Sequence, residues 1–361
     1  MDSMGERLVF TSFGESHGEG IGGVLSGLPA GLKIDMEFLE AEVARRKGGS
    51  KFATPRKEED SFKILSGVFE GVSTGAALGF FVPNENTKSK DYSEIKDIFR
   101  PAHADFTYFK KYGLRDYKGG GRASARESVA RVLAGGFAKL LLREFDIEVH
   151  AGVMSIEKIG LDYKDFDKEA FLKAKESEVF ALDTSLESSM KEIVLEAKRE
   201  GDSLGASVLI KAFNIPVGLG EPMYHKLDSM LASSLMGLNG VKAVEIGLGT
   251  KASQTRGSIN NDFLYKDGFK TNNSGGILGG ISNGDTLVLK AHFKPTPSIF
   301  LEQASLNTSG DEVNFKLKGR HDPCIGIRGS VVCESLVALV LADALLLNAT
   351  SKLDSLKKIY K

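Results

Sequence analysis

Tryptophan is absent from the 361 residues, and there are only two cysteines, Cys324 and Cys333. They form no metal-ligand spacing and no disulfide framework, which fits a reducing, cytoplasmic setting. No pair of the six histidines has a zinc-ligand spacing, so no metal is expected. The net charge is -1, which gives no bulk electrostatic reason to expect a nucleic acid or a membrane as partner. The first ten residues lack the apolar core of a signal peptide. The most apolar run, 336–347, is interrupted by Asp343 and falls short of the ~20 residues a bilayer span needs. It reads as a buried helix. No Pro/Ser-rich linker divides the chain, so one domain over 1–361 is expected.

Glycine is plentiful, at 41 residues, and hydrophobic residues make up 42%, enough for a large core. Strand-like segments occur at 8–13, 22–26, 62–69, 76–82, 208–213, 243–246 and 286–293. Helical periodicity covers 36–46, 124–145, 186–199, 226–236 and 334–347. Strands do not alternate regularly with helices, which argues against a Rossmann or barrel order and for antiparallel sheets packed on helices, an α+β fold. Residues 157–200 are charge-rich and read as a peripheral segment.

The most informative segment is Gly119-Gly120-Gly121-Arg122-Ala123-Ser124-Ala125-Arg126-Glu127. Glycines allow close backbone approach to a ligand, and a helix start offers unpaired N–H donors. Arg122 and Arg126 add forked cations suited to phosphate. Ser124 and Glu127 have the spacing of a capping box. The same segment also reads as a tight turn before a core helix with solvated arginines. A P-loop is excluded, since no Lys-Ser or Lys-Thr pair follows the glycines.

Four further groups could carry chemistry. His17, in Gly14-Glu15-Ser16-His17-Gly18, follows a strand and is poorly placed for core packing; its ionisation near neutrality suits proton transfer. His103 lies in Arg100-Pro101-Ala102-His103-Ala104-Asp105, where Asp105 could orient the imidazole. Arg45, Arg46, Lys47, Lys51, Arg56 and Lys57 form either a solvated helix end, a clamp for an acidic small molecule, or an RNA-binding patch. Lys318-Gly319-Arg320-His321-Asp322-Pro323 concentrates a cation, a histidine and a carboxylate. His150, His225 and His292 read as structural or exposed.

In this order, Gly14–Gly18, Arg100–Asp105, Gly119–Arg122 and Gly319–Pro323 resemble the motifs of the chorismate synthase family, and the resemblance spans nearly the whole chain. It implies a β-α-β sandwich, two antiparallel sheets enclosing a helical layer, assembled as a homotetramer. It implies elimination of phosphate, with loss of a ring proton, from 5-enolpyruvylshikimate 3-phosphate to give chorismate. The cofactor it implies is reduced FMN, with reductant supplied from outside the chain, NADPH being one candidate source. The chain ends soon after its last helix, so a monofunctional form without a flavin-reductase domain is expected.

The resemblance also assigns residues. Arg122, Ala123, Ser124, Asn239, Gly240, Gly279, Lys294, Pro295, Thr296, Pro297 and Ser298 would touch FMN, and Arg320 would sit at the flavin–substrate junction. His17 would assist the departing phosphate, His103 would protonate the reduced flavin, and Asp322 would help it accept the ring proton. Ser16, Arg46, Lys51 and Arg126 would hold the phosphate and carboxylates of the substrate. Ala123 and Pro297 stand where the family usually has serine, and Lys51 where it commonly has arginine. These departures are expected to alter affinity rather than abolish activity. Two rival readings are an FMN-binding module without catalysis and a nucleic-acid binder acting through 45–57.

Overall fold

The computed structural model describes residues 1–47, 51–52, 59–85, 96–161, 164–317 and 322–361. Ser3–Met4 (β1), Val9–Gly14 (β2), Gly20–Ser26 (β3), Lys63–Ile64 (β4) and Leu78–Pro83 (β7) form an antiparallel sheet in the order β1-β2-β3-β7-β4. Val68–Phe69 (β5) and Val72–Ser73 (β6) make a small hairpin beside it. The expected strand over 62–69 is therefore two short ones. Between them Gly67, at φ +83°, runs so close to the next strand that a Cβ there would lie 2.5 Å from Leu78 Cα. The second antiparallel sheet has the order β10-β15-β9-β8, built from Glu148–Ile156 (β8), Ala206–Phe213 (β9), Val241–Ile246 (β10) and Leu287–Phe293 (β15). Three hairpins complete the strands: Leu264–Tyr265 (β11) with Gly268–Phe269 (β12), Ile277–Leu278 (β13) with Ile281–Ser282 (β14), and Glu302–Leu306 (β16) with Glu312–Lys316 (β17).

The helices are Met36–Arg46 (α1), Asp105–Tyr112 (α2), Ser128–Arg143 (α3), Lys168–Ala174 (α4), Glu187–Glu200 (α5), Leu227–Met236 (α6), Gly257–Asn260 (α7), Gly326–Asn348 (α8) and Leu353–Tyr360 (α9). α3 packs on β2, β3 and β7 of the first sheet and on α8, while α8 packs on β8, β9 and β15 of the second. Phe80 of the first sheet stacks on Phe10 and meets Phe137 of α3, with ring centroids 6.4 and 6.2 Å apart. Burying each such ring contributes about 1.5–3 kcal/mol.

α8 starts at Gly326, eight residues before the run that sequence periodicity marks. Gly326 and Gly329 read as helix breakers but serve packing: a Cβ at Gly329 would lie 2.7 Å from Phe293 Cζ. At 23 residues the helix is long and apolar enough to cross a membrane, contrary to the shorter run, yet it is buried within the protein. α3, by contrast, begins later than expected. Two 3-10 turns, Gly121–Ala123 and Ala125–Glu127, come between the glycine triplet and Ser128. Ser124 caps the second turn through Arg126 N at 3.4 Å, and Glu127 is used elsewhere, so no capping box forms.

Buried ions fix the helices on one another. Glu334 of α8 takes both terminal nitrogens of Arg45, at 2.9 and 3.0 Å, Lys139 Nζ of α3 at 2.5 Å and Ala151 N of β8 at 3.0 Å. Glu42 bonds Arg45 and Lys139 as well. Burial disfavours ionisation of Glu334, but Arg45 and Lys139 outweigh it and hold the carboxyl well below its usual range. Asp343 accepts N–H bonds from Glu6, Arg7 and Leu8 at 2.7–3.0 Å, tying the chain start to α8. Removing one partner of a buried ion network leaves the others uncompensated. Glu334→Gln is expected to lower unfolding stability by about 3–5 kcal/mol. Urea denaturation followed by circular dichroism checks this, and an unshifted midpoint would contradict it.

Candidate active site

A cleft of about 1160 Å³ opens where the turn after β2, the glycine triplet, the 293–298 segment and the start of α8 meet. The glycine triplet is its floor. All three glycines have positive φ, between +52° and +86°. A Cβ on Gly119 would stand 2.1 Å from both Nδ1 and Cε1 of His17 and 3.0 Å from Ser16 Oγ. A Cβ on Gly120 would stand 3.0 Å from Cε1 and 3.4 Å from Nε2 of His103. The triplet therefore lets two histidines from distant segments close on consecutive backbone units, a use of glycine that backbone freedom and lack of bulk both require. Ser16 is fully buried, and its Oγ lies 3.2 Å from His17 Nδ1.

Arginines surround this floor, and carboxylates pair them. Arg46 Nη1 donates to Asp60 Oδ2 at 3.0 Å, while Arg126 Nη1 donates to Asp60 Oδ1. Arg46 Nε also reaches Ser128 Oγ at 3.1 Å, and Arg126 Nε reaches Asn84 Oδ1 at 3.0 Å. Burial works against ionisation of Asp60, but the two guanidiniums overcome it and keep its pKa lowered. Asp105 is gripped by Arg100 Nε at 2.7 Å and Nη2 at 2.9 Å, with Arg115 Nη1 at 3.2 Å. Glu127 lies 2.9 Å from Arg131 Nε and 3.6 Å from Arg122 Nη1, and accepts from Ser12 Oγ at 2.7 Å. Arg122 also reaches Ser12 Oγ and the exposed Asp2 carboxylate, at 3.0 and 2.9 Å.

His103 Nδ1 stands 3.0 Å from Asp105 Oδ1. Burial pushes the imidazole below its ordinary pKa; the Asp105 contact opposes this, and the charges of Arg100 and Arg115 reinforce it. Asp322 is buried, lines the cleft and pairs with Arg328. On the opposite wall, Asn239 Nδ2 donates to Ala123 O at 2.8 Å, and Lys294 N donates to Gly240 O at 2.9 Å. Lys294 Nζ reaches Ala102 O at 2.7 Å; burial and the nearby Lys242 lower its pKa. Thr296, Pro297 and Ser298 continue that wall, and Thr296 Oγ1 is buried with no hydrogen-bond partner among the described residues.

Most of the residues singled out in the sequence thus converge. Arg46, His103, Arg122, Ala123, Ser124, Arg126, Asn239, Gly240, Lys294, Thr296, Pro297, Ser298 and Asp322 line one cleft, with Ser16 and His17 against its floor. Three do not line it. Gly279 is exposed in the turn between β13 and β14, Pro295 is exposed, and Lys51 is exposed with its main-chain carbonyl bonded to Lys198. Arg56, Lys57 and the Lys318–His321 part of the fourth motif, including Arg320, lie outside the described residues. His150 is buried beside Glu148 at 3.0 Å, and His225 is exposed, as expected. Sequence reasoning gave no role to Asp60, Arg115, Arg131 or Arg328. Asp60, Arg115 and Arg131 sit in no motif that marks them, and Arg328 lies between Gly326 and Gly329, which read as helix breakers rather than as a site.

Gly119→Ala is expected to displace the His17 ring, because a ring yields more readily than backbone, and to add backbone strain of about 1–3 kcal/mol at positive φ. Turnover should fall further than stability does, read as kcat beside a thermal melt on the same sample. Parent-like kcat would contradict the placement of His17.

A sequence model of the chorismate synthase family matches residues 8–346. The chorismate synthase of Campylobacter fetus subsp. fetus is 56% identical over 360 residues, covering 100% of both chains. That of Nitratiruptor sp. is 59% identical over 361 residues, again covering 100% of each. A crystal structure of a chorismate synthase superposes with a TM-score of 0.77 at 30% identity, covering 99% of this chain and 97% of that one. With its histidines, arginine–carboxylate groups and glycine floor in one cleft, the chain belongs to the chorismate synthase family.

Proposed function

We propose that this cleft performs the reaction of its family, elimination of phosphate and a ring proton from 5-enolpyruvylshikimate 3-phosphate to give chorismate, the last step of the shikimate pathway. One observation carries the reading: His17 and His103 close on adjacent glycines in a cleft lined by the buried Arg46, Arg100 and Arg126. A substrate with two carboxylates and a phosphate needs several cations at short range, already desolvated and oriented. Arg46 and Arg126 are held in place by Asp60 before any ligand arrives, so little reorganisation remains when an anion binds.

The wall formed by Arg122, Asn239, Gly240, Lys294, Thr296 and Ser298 fits FMN. Its donors are mixed, Arg122 and Lys294 supply charge for a phosphate, and the Thr296 hydroxyl is left unpaired for a ligand among the described residues. Gly240, at φ +90°, lies so near Ile325 that a Cβ would come within 2.5 Å of Cδ1, which keeps that wall thin. Reduced FMN, when bound, supplies the electron density that a difficult elimination across an allylic system needs. The chain's own residues bind, orient and handle protons. His17, against Ser16, would donate to the leaving phosphate. His103, neutral through burial, would gain proton affinity once an anion lies beside it. Asp322, steadied by Arg328, would help a bound flavin accept the ring proton in the same pocket. Ala123 offers only its carbonyl, already bonded to Asn239, so the missing hydroxyl would weaken flavin affinity without breaking the wall.

The layered contacts of α3 and α8 support the β-α-β sandwich, one domain over the chain. The same reading carries the homotetramer, the cytoplasmic setting, an external flavin reductant such as NADPH, and a small molecule rather than nucleic acid or membrane as partner.

Anaerobic incubation with reduced FMN and 5-enolpyruvylshikimate 3-phosphate should yield chorismate and phosphate in equal amounts. His17→Ala should lower kcat by about 10²–10³, the range for losing one preorganised donor. Absence of both products from the folded parent protein would refute the function, and unchanged kcat in the variant would refute the role of His17.

A further inference from the structure

Asp105 begins α2 and is buried, with both carboxylate oxygens occupied. Oδ2 accepts from Arg100 N at 3.1 Å and Arg100 Nε at 2.7 Å. Oδ1 accepts from Arg100 Nη2 at 2.9 Å and has Arg115 Nη1 at 3.2 Å and His103 Nδ1 at 3.0 Å as close charge contacts, without the angle of a hydrogen bond at either nitrogen. We propose that Asp105 is the positioning residue for His103: clamped by Arg100 and Arg115, its carboxylate keeps the imidazole proton on Nδ1 and leaves Nε2 free for proton exchange in the cleft. The part this plays in turnover rests on the function proposed above; the placement of the proton does not.

Three observations support it. First, the clamp makes Asp105 a fixed acceptor. Burial would raise its pKa, but the hydrogen bonds from Arg100 and the contact with His103 hold it far below the usual carboxylate range, so it stays ionised and takes no proton from the ring. An ionised acceptor beside one ring nitrogen sets the tautomer and so the role of the other nitrogen. Second, the other edge of the ring faces Gly120, where a Cβ would come within 3.4 Å of Nε2 and 3.5 Å of Arg100 Nη2. Third, the loop that carries His103 is held under strain. Ala102 has φ +55°, a conformation costing on the order of 1–3 kcal/mol for a residue with a Cβ. Lys294 Nζ ties down its carbonyl at 2.7 Å, and His103 N bonds Arg100 O at 3.2 Å. A backbone kept in that state by contacts from across the cleft fits a ring whose direction matters. The charged groups around His103 are Asp105, Arg100 and Arg115, with Lys294 on the neighbouring carbonyl.

The experiment labels the histidines of the full chain with ¹⁵N and ¹³C and assigns the His103 ring by its loss in His103→Gln. Two-bond ¹⁵N–¹H spectra then report tautomer and titration. The expected result is an Nδ1–H tautomer in the parent protein. In Asp105→Asn the imidazole should lose at least tenfold in proton affinity, and kcat should fall at least tenfold while KM changes less than threefold. Asp105→Glu should recover part of kcat. An Nε2–H ring in the parent overturns the proposal, and so does an unshifted His103 titration in folded Asp105→Asn. Should that variant not fold, the parent's tautomer alone decides. A parent protein with the expected tautomer but no chorismate production would uphold the proton placement while sinking the functional reading.

Discussion

One arrangement recurs around the cleft: a buried carboxylate set between two guanidiniums. Asp60 joins Arg46 and Arg126, Asp105 joins Arg100 and Arg115, and Glu127 joins Arg122 and Arg131. Arginines cannot shed their charge on burial, so each needs a counter-ion where water is excluded. Shared between two guanidiniums, each carboxylate offsets part of their desolvation cost, and at the Glu127 group the exposed Asp2 adds a second carboxylate. Arginines buried without such partners would carry a large desolvation cost.

The scaffold explains how these groups are held. In α1, adjacent residues divide the work: Arg45 turns to Glu334 inside the helical layer, while Arg46 turns to Asp60 at the cleft. The network of Glu334, Lys139 and Glu42 therefore fixes the rotation of α1, and with it the position of Arg46. α3 serves both sides too, with Lys139 in the core network and Ser128 at its start bonded to Arg46. Between these helices and the second wall, the glycine triplet brings His17 and His103 against consecutive backbone units.

Much of this was legible in the sequence, for identifiable reasons. α1 was read at its observed bounds because its apolar residues repeat with helical period, and the structure adds Asp35 as its cap, accepting from Phe38 N at 3.0 Å. The exposed–buried alternation of β2 was legible as well. β8 escaped because its residues after Glu148 are buried on both faces, and His150, Gly152 and Ser155 dilute its apolar character. The hairpin of β16 and β17 escaped although it alternates, since its outward residues make it as polar as a loop. In the site, motif residues with unusual chemistry, such as His17, His103 and Arg122, were found. Their counter-ions were not all found, because Asp60 and Arg115 look like any surface charge until tertiary structure buries them. Lys51 was read in a basic cluster and assigned to the substrate by family resemblance, which also assigned Gly279 to the flavin, and neither lines the cleft among the described residues.

We propose that the paired arginines of the cleft receive the anionic groups of the substrate while their carboxylates stay in place. The most direct test is a crystal structure of the protein with reduced FMN and 5-enolpyruvylshikimate 3-phosphate. The account predicts the phosphate and carboxylates within hydrogen-bond distance of the cleft arginines, Arg46 and Arg126 among them, with Asp60, Asp105 and Glu127 still between their partners. A polyanion bound away from these arginines, or a carboxylate displaced from its pair to make room, would contradict it.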